Sequence, residues 1–90
     1  MAESKFPLGM VVSTPNALDT LVAEDLHAAI QRHHSGDWGD VDPHDRNENE
    51  RALKQGSRLF SVYHDRAKVK FWIITEADRS STTILLPEDY

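Results

Sequence analysis

Residue types able to do chemistry fall in three places. The first is a cluster of imidazoles and carboxylates: His33, His34, Asp37, Asp40, Asp42, His44 and Asp45. These are the ligand types of zinc and manganese. Their spacing fits no metal motif. There is no H-E-x-x-H, and a calcium loop begun at Asp40 would put Asp45 where glycine is required and Arg51 where the bidentate glutamate belongs. Helix capping accounts for Asp42, Asp45 and the histidines of a last helical turn, so neither a metal nor a cofactor is expected. The second place is Trp38, held between Gly36 and Gly39. It reads as an exposed aromatic anchor for a partner, or as a plug that ties its loop to the sheet. The third is Thr75–Thr83, where Glu76, Asp78 and Arg79 stand beside hydroxyl residues. Glu76 as base, with Arg79 and Arg58 as phosphate contacts, would make a ribonuclease-like set. The plain alternative is a polar turn with an Arg–carboxylate pair. No P-loop, G-x-S-x-G or G-x-G-x-x-G occurs.

The elements that position these residues follow from local patterns. Residues 1–5 are polar and expected to fray. Met10–Ser13 fits a short strand or an extended arm. Thr14-Pro15 reads as a helix start, a hydroxyl cap followed by proline at the first helical position. Leu18, Leu21, Val22, Leu26, Ala29 and Ile30 then recur at helical spacing. They belong to one bent helix or to two short ones breaking near Ala23, ended by Gly36. The segment Gly36–Val41 (GDWGDV) is a turn-rich loop. Asp42-Pro43 repeats the helix-start signal, and this surface helix should run to about Gln55 and stop at Gly56. Arg58–His64, Lys68–Thr75 and Thr82–Leu86 read as strands, the last ended by Pro87. Along Lys68–Thr75, Val69, Phe71 and Ile73 share one face and Lys70, Trp72 and Ile74 the other. Short connections make the three strands an antiparallel meander. The expected fold is therefore α+β: a single domain over residues 1–90, with N-terminal helices on one face of a C-terminal antiparallel sheet of three or four strands.

Bulk properties narrow the function classes. The chain has 90 residues, 39% of them hydrophobic and 28% charged, which is globular composition with room for one core. Ten basic residues lie scattered among fifteen acidic ones, giving a net charge of -5. A phosphate-neutralising face needs clustered Lys and Arg, so nucleic acid is disfavoured and a protein partner fits better. The absence of cysteine removes disulfides and thiol chemistry and favours a reducing cytoplasm. Residues 1–9 lack the apolar stretch of a signal peptide. The longest apolar run, Phe71–Ile74, is too short to cross a membrane. Monomer and homodimer are both compatible with a sheet that has a free edge.

The chain resembles a family of small bacterial proteins labelled plasmid-related. The residues carrying the likeness are Phe6–Gly9 (FPLG), Thr14-Pro15 with Ala17-Leu18, GDWGDV, Asn49, Ala52-Leu53, Gly56 and Trp72–Tyr90 (WIITEADRSSTTILLPEDY). The resemblance implies carriage on plasmids or integrated elements and brings no activity with it. Helices followed by antiparallel sheet also resemble the barnase and RelE-like ribonucleases and toxins, although here the last turn has Asp78-Arg79 and no histidine. The expected function is a small acidic, non-enzymatic protein that binds and regulates or inhibits another protein. Its surface would comprise Asp37, Trp38, Asp40, Glu76, Asp78 and Arg79. The alternative is a small ribonuclease or toxin using Glu76, Arg79 and Arg58.

Overall fold

A computed structural model describes residues 4–90. The chain order is β1 (Met10–Ser13), α1 (Pro15–Thr20), α2 (Ala23–His34), α3 (Pro43–Gln55), β2 (Leu59–His64), β3 (Lys70–Thr75), β4 (Ser81–Leu85) and a 3-10 turn, Pro87–Asp89. The α+β class and the packing of helices on a sheet are as the sequence predicts. Two features differ. The sheet is mixed, with order β1-β4-β3-β2, and β1 runs parallel to β4 beside an otherwise antiparallel meander. The helices also lie between β1 and the meander instead of ahead of the whole sheet, because Met10–Ser13, read as a short strand or an extended arm, is a strand of it. The three helices carry the chain back so that β2 starts in the direction of β1, and the two reversals of the meander then bring β4 parallel to β1. The expected fraying of residues 1–5 falls partly outside the described residues. Lys5 itself is held, its N–H donating to the His34 carbonyl at 2.9 Å.

Local chemistry sets the helix ends. Thr14 accepts the Ala17 N–H at 3.1 Å, and Asp42 accepts the Asp45 N–H at 2.8 Å; proline follows each cap. Leu21 and Val22 break the first apolar stripe into α1 and α2. The uncapped N–H of Val22 is taken by the Asp65 carboxylate at 3.3 Å, which reaches over from the β2–β3 turn.

The apolar stripe of α1 and α2 covers one sheet face, except for Leu18, which is turned out to solvent. Ala17, Leu21 and Ala29 meet Tyr63, Phe71, Ile73 and Ile84 there. A second cluster, with Phe6, Trp38, Val41, Ala52, Leu59 and Val62, wraps round the β2 edge. The third helix lies along that edge and not on the face.

A buried polar chain runs beneath α2. His33 is fully buried, with Nδ1 2.6 Å from Ser61 Oγ on β2 and Nε2 2.9 Å from Thr75 Oγ1 on β3. Thr75 lies 2.8 Å from Thr82 on β4, and Thr82 donates to the Leu8 carbonyl at 2.7 Å. That last bond fixes the others. Thr82 has given its proton, so Thr75 donates to Thr82, His33 donates from Nε2 to Thr75, and Ser61 donates to Nδ1. Every donor is matched only when the imidazole is neutral. Burial, reinforced by the neighbouring His34, lowers the His33 pKa from 6.5 to about 3.

Stability should therefore fall with acid. Below pH 6.5 the unfolded chain takes a proton at His33 that the native chain refuses until about pH 3. Unfolding free energy is expected to drop by about 2 kcal/mol between pH 7.5 and pH 5 from this group. Urea midpoints across that range should show the slope, and His33→Gln should flatten it.

Candidate functional site

The residues singled out by sequence do not form one site. Trp38 is 3% exposed. Its ring stacks on Phe6 at 6.1 Å, meets His33 edge-on at 5.7 Å, and donates its indole N–H to Glu50 at 2.8 Å. Its inclusion among partner contacts is thus corrected: the indole is the plug of the loop and offers no exposed surface. Arg79 is committed to backbone. Its Nη1 donates to the carbonyls of Ser57 (2.6 Å), Glu76 (3.1 Å) and Ala77 (3.2 Å), and Nη2 to that of Ala52 (3.1 Å) in the last turns of α3. Asp78 accepts the Ser80 N–H at 3.0 Å and closes the β3–β4 turn; this bonding to Ser80 holds its carboxyl below the usual range.

Glu76 and Arg58 do meet, at 3.2 Å, and Arg58 reaches the Tyr90 hydroxyl at 3.4 Å. They flank a cleft of about 130 Å³ on the outer sheet face with Ile74, Thr83 and Leu85. Arg79 does not join them. The ribonuclease-like set therefore keeps one acid and one base, mutually neutralised, and loses its second phosphate contact.

The histidine and carboxylate cluster also disperses. His33 is in the core. Asp42, His44 and Asp45 are the one group of three among the described residues whose ligand atoms lie within 4.8 Å of one another. Asp42 and Asp45 are the cap and first turn of α3, which explains them. Asp37 pairs with Arg32 at 2.8 Å, and that guanidinium holds its carboxyl below the usual range. Asp40 pairs with His64 at 2.8 Å.

Those pairs border a groove of about 280 Å³ between α2 and the β2–β3 turn. Its bases are Arg32, His64 and Arg66. Each already faces an acid: Asp37, Asp40, and for Arg66 both Asp25 (2.9 Å) and Glu24 (3.8 Å). The acids outnumber the bases, so the groove presents no positive field to an anion. It reads as a brace between the helix and the turn.

The two edges of the sheet tell more. At β2 the edge is sealed. Val62 donates to the Trp38 carbonyl at 3.1 Å and accepts from Asp40 N–H at 2.7 Å. Gly39 lies so close that a Cβ there would stand 2.0 Å from the Val62 oxygen, and its φ is +75°. Two residues on, the Asn49 side chain replaces a strand: it accepts the Phe60 N–H at 3.0 Å and donates to the Phe60 carbonyl at 2.6 Å.

At β1 the edge is open. Met10 N–H donates to Ser80 and Thr14 N–H to Ile84, each at 3.0 Å. Backbone groups alternate along a strand, so Val12 also turns toward β4, and Val11 and Ser13 turn their N–H and C=O groups outward. Met10, Val11 and Val12 are 68%, 44% and 39% exposed, and Leu18 on the following helix is 60% exposed. From Phe6 to Leu18 the chain has no charged residue and no histidine, nor does Ser80–Pro87, which contains the neighbouring β4. Sequence reasoning placed no site residue here. The signal that could have found it is this uncharged run in a chain that is 28% charged.

No protein-family model, no curated protein and no solved structure matches this chain.

Asn49→Ala should destabilise the fold by about 2 kcal/mol, because it leaves the Phe60 N–H and C=O without their partner. Chemical denaturation measures this, and faster amide exchange at Phe60 should accompany it.

Proposed function

We propose that the protein is a non-enzymatic binding protein that regulates or inhibits another protein by taking an extended segment of it onto β1. The observation that carries this reading is the contrast between the edges. One is closed by a backbone bridge and a side-chain amide; the other displays outward backbone donors and acceptors flanked by exposed apolar side chains. Strand addition uses such an edge: main-chain hydrogen bonds supply affinity and alternate side chains supply specificity. Charge chooses the occupant. An acidic side chain brought onto this strip would lose water and meet only a like charge, the Asp89 carboxylate held by Thr14 and Asn16, so the segment bound carries no acid and is rich in β-branched residues. The resemblance to plasmid-related proteins adds that the partner is made by the host cell or by a mobile element, and the setting is the cytoplasm.

The test exploits the alternation of β1. The Val11 N–H faces outward, so Val11→Pro removes a docking bond without removing a bond to β4, and proline is tolerated at such edge positions. Pull-down from the native host with wild-type and Val11→Pro baits, followed by amide exchange on the recovered complex, decides the matter. The expected result is a partner lost by the folded variant that slows exchange at Val11 and Ser13 at least about tenfold, as newly bonded strand amides do. A partner retained by Val11→Pro, or one that leaves these amides unprotected, contradicts the reading.

A further inference from the structure

Strand edges left bare tend to pair with one another, and natural sheets blunt them with charge, proline or a bulge. The outer edge of β1 has none of these at Val11 or Ser13. We infer that, in the absence of another partner, this edge is covered by β1 of a second copy, the two strands antiparallel about a twofold axis. The inference rests on the reading of β1 as the binding edge and adds how that edge is kept covered.

The strand is self-complementary in one register. In an antiparallel pair, hydrogen-bonded residues exchange both N–H···O bonds. Only Val11 and Ser13 have outward groups within β1, so pairing Val11 of one copy with Ser13 of the other uses every one of them. Val12 then lies opposite Val12 across the axis, at a non-hydrogen-bonded position where side chains approach most closely. Sliding by two residues either pairs Val11 with itself and sets Ser13 against Gly9, or pairs Ser13 with itself and sets Val11 against Pro15, which has no N–H to give. Gly9 and Pro15 thus bracket the register.

Charge argues for a second copy as well. Each copy carries a net charge of -5, so most faces repel their like. The strip from Phe6 to Leu18 and the adjoining Ser80–Pro87 bring no acid of their own to the seam; the Asp89 carboxylate lies at one end of it, held by Thr14 and Asn16, and a twofold axis at Val12 sets the two copies of that end apart. A heterologous partner is commonly steered by complementary charge; a self-pairing edge needs none. The joint is short, four residues to a side. Small interfaces make weak, reversible complexes, so a second copy can cover the edge and still yield it to a better strand.

Sedimentation velocity on the full chain tests this. The wild type should move from 10.2 kDa toward twice that mass as concentration rises from about 10 µM to about 1 mM, the range expected of a short interface. Val11→Pro should stay monomeric throughout. Should that variant fold poorly, Val12→Lys gives the same reading without altering the backbone, since it sets like charges opposite each other at the axis. Raising salt from about 0.05 M to about 0.5 M should strengthen the wild-type association, because it screens net repulsion and breaks no ion pair at the joint. A wild type that remains at 10.2 kDa overturns the inference, and so does a dimer that both variants leave intact. A monomer that still captures another protein through Val11 overturns self-pairing alone. A dimer that captures nothing leaves self-pairing standing and removes the regulator reading.

Discussion

The fold hangs on a neutral imidazole. His33 sits at the end of α2 and reaches through the core to Ser61, Thr75 and, by relay, Thr82 and the Leu8 carbonyl. It thereby ties a helix to three strands and to the segment that leads into β1. A small domain has little core to spare, and most of this one is aliphatic and aromatic. A buried polar chain there must be satisfied at every link, because an unpaired donor in a dry core costs about 1–3 kcal/mol. The chain of hydroxyls meets that condition with one tautomer of one protonation state. It also sets direction: Thr82 donates its hydroxyl proton to the Leu8 carbonyl, which brings the N-terminal segment alongside β4, and Gly9 allows the close approach, its φ at +66°.

From that placement the asymmetry of the sheet follows. With the N-terminal segment on the β4 side, β1 becomes one outer strand, and β2 becomes the other. The long excursion through α2 and α3 returns to the β2 side, so its loop and Asn49 are at hand to close that edge. Nothing in the described chain returns to β1. The account of function is the account of this difference. The charged pairs that ring the molecule, from Arg32–Asp37 to Arg66–Asp25, brace elements against one another and leave no field that would draw an anion.

Much of the architecture was legible in sequence. Thr14-Pro15, Asp42-Pro43 and Gly56 mark helix ends because capping is a local event. The alternation of Phe71 and Ile73 against Trp72 and Ile74 gave the faces of β3. Strand limits shifted by one or two residues, since a ladder stops where its partner does. What sequence did not reveal depends on distant partners. The parallel pairing of β1 with β4 joins residues about seventy positions apart. Trp38 read as anchor or plug, and only Phe6 and Glu50 around it decide for the plug. Arg79 read as a phosphate contact because nothing local shows that the carbonyls of Ala52 and Ser57 converge on it. His33 read as a helix-end charge, although it extends the apolar stripe of Leu26, Ala29 and Ile30 by one more helical step.

The most direct test of the central claim is amide hydrogen exchange along β1 in dilute protein. An open edge paired on one side predicts alternation: Val12 and Thr14 protected by β4, Val11 and Ser13 exchanging at nearly unfolded rates. Equal protection of all four would mean that the edge is already covered within the chain. Equal exposure would mean that β1 does not belong to the sheet. Either result would contradict the account.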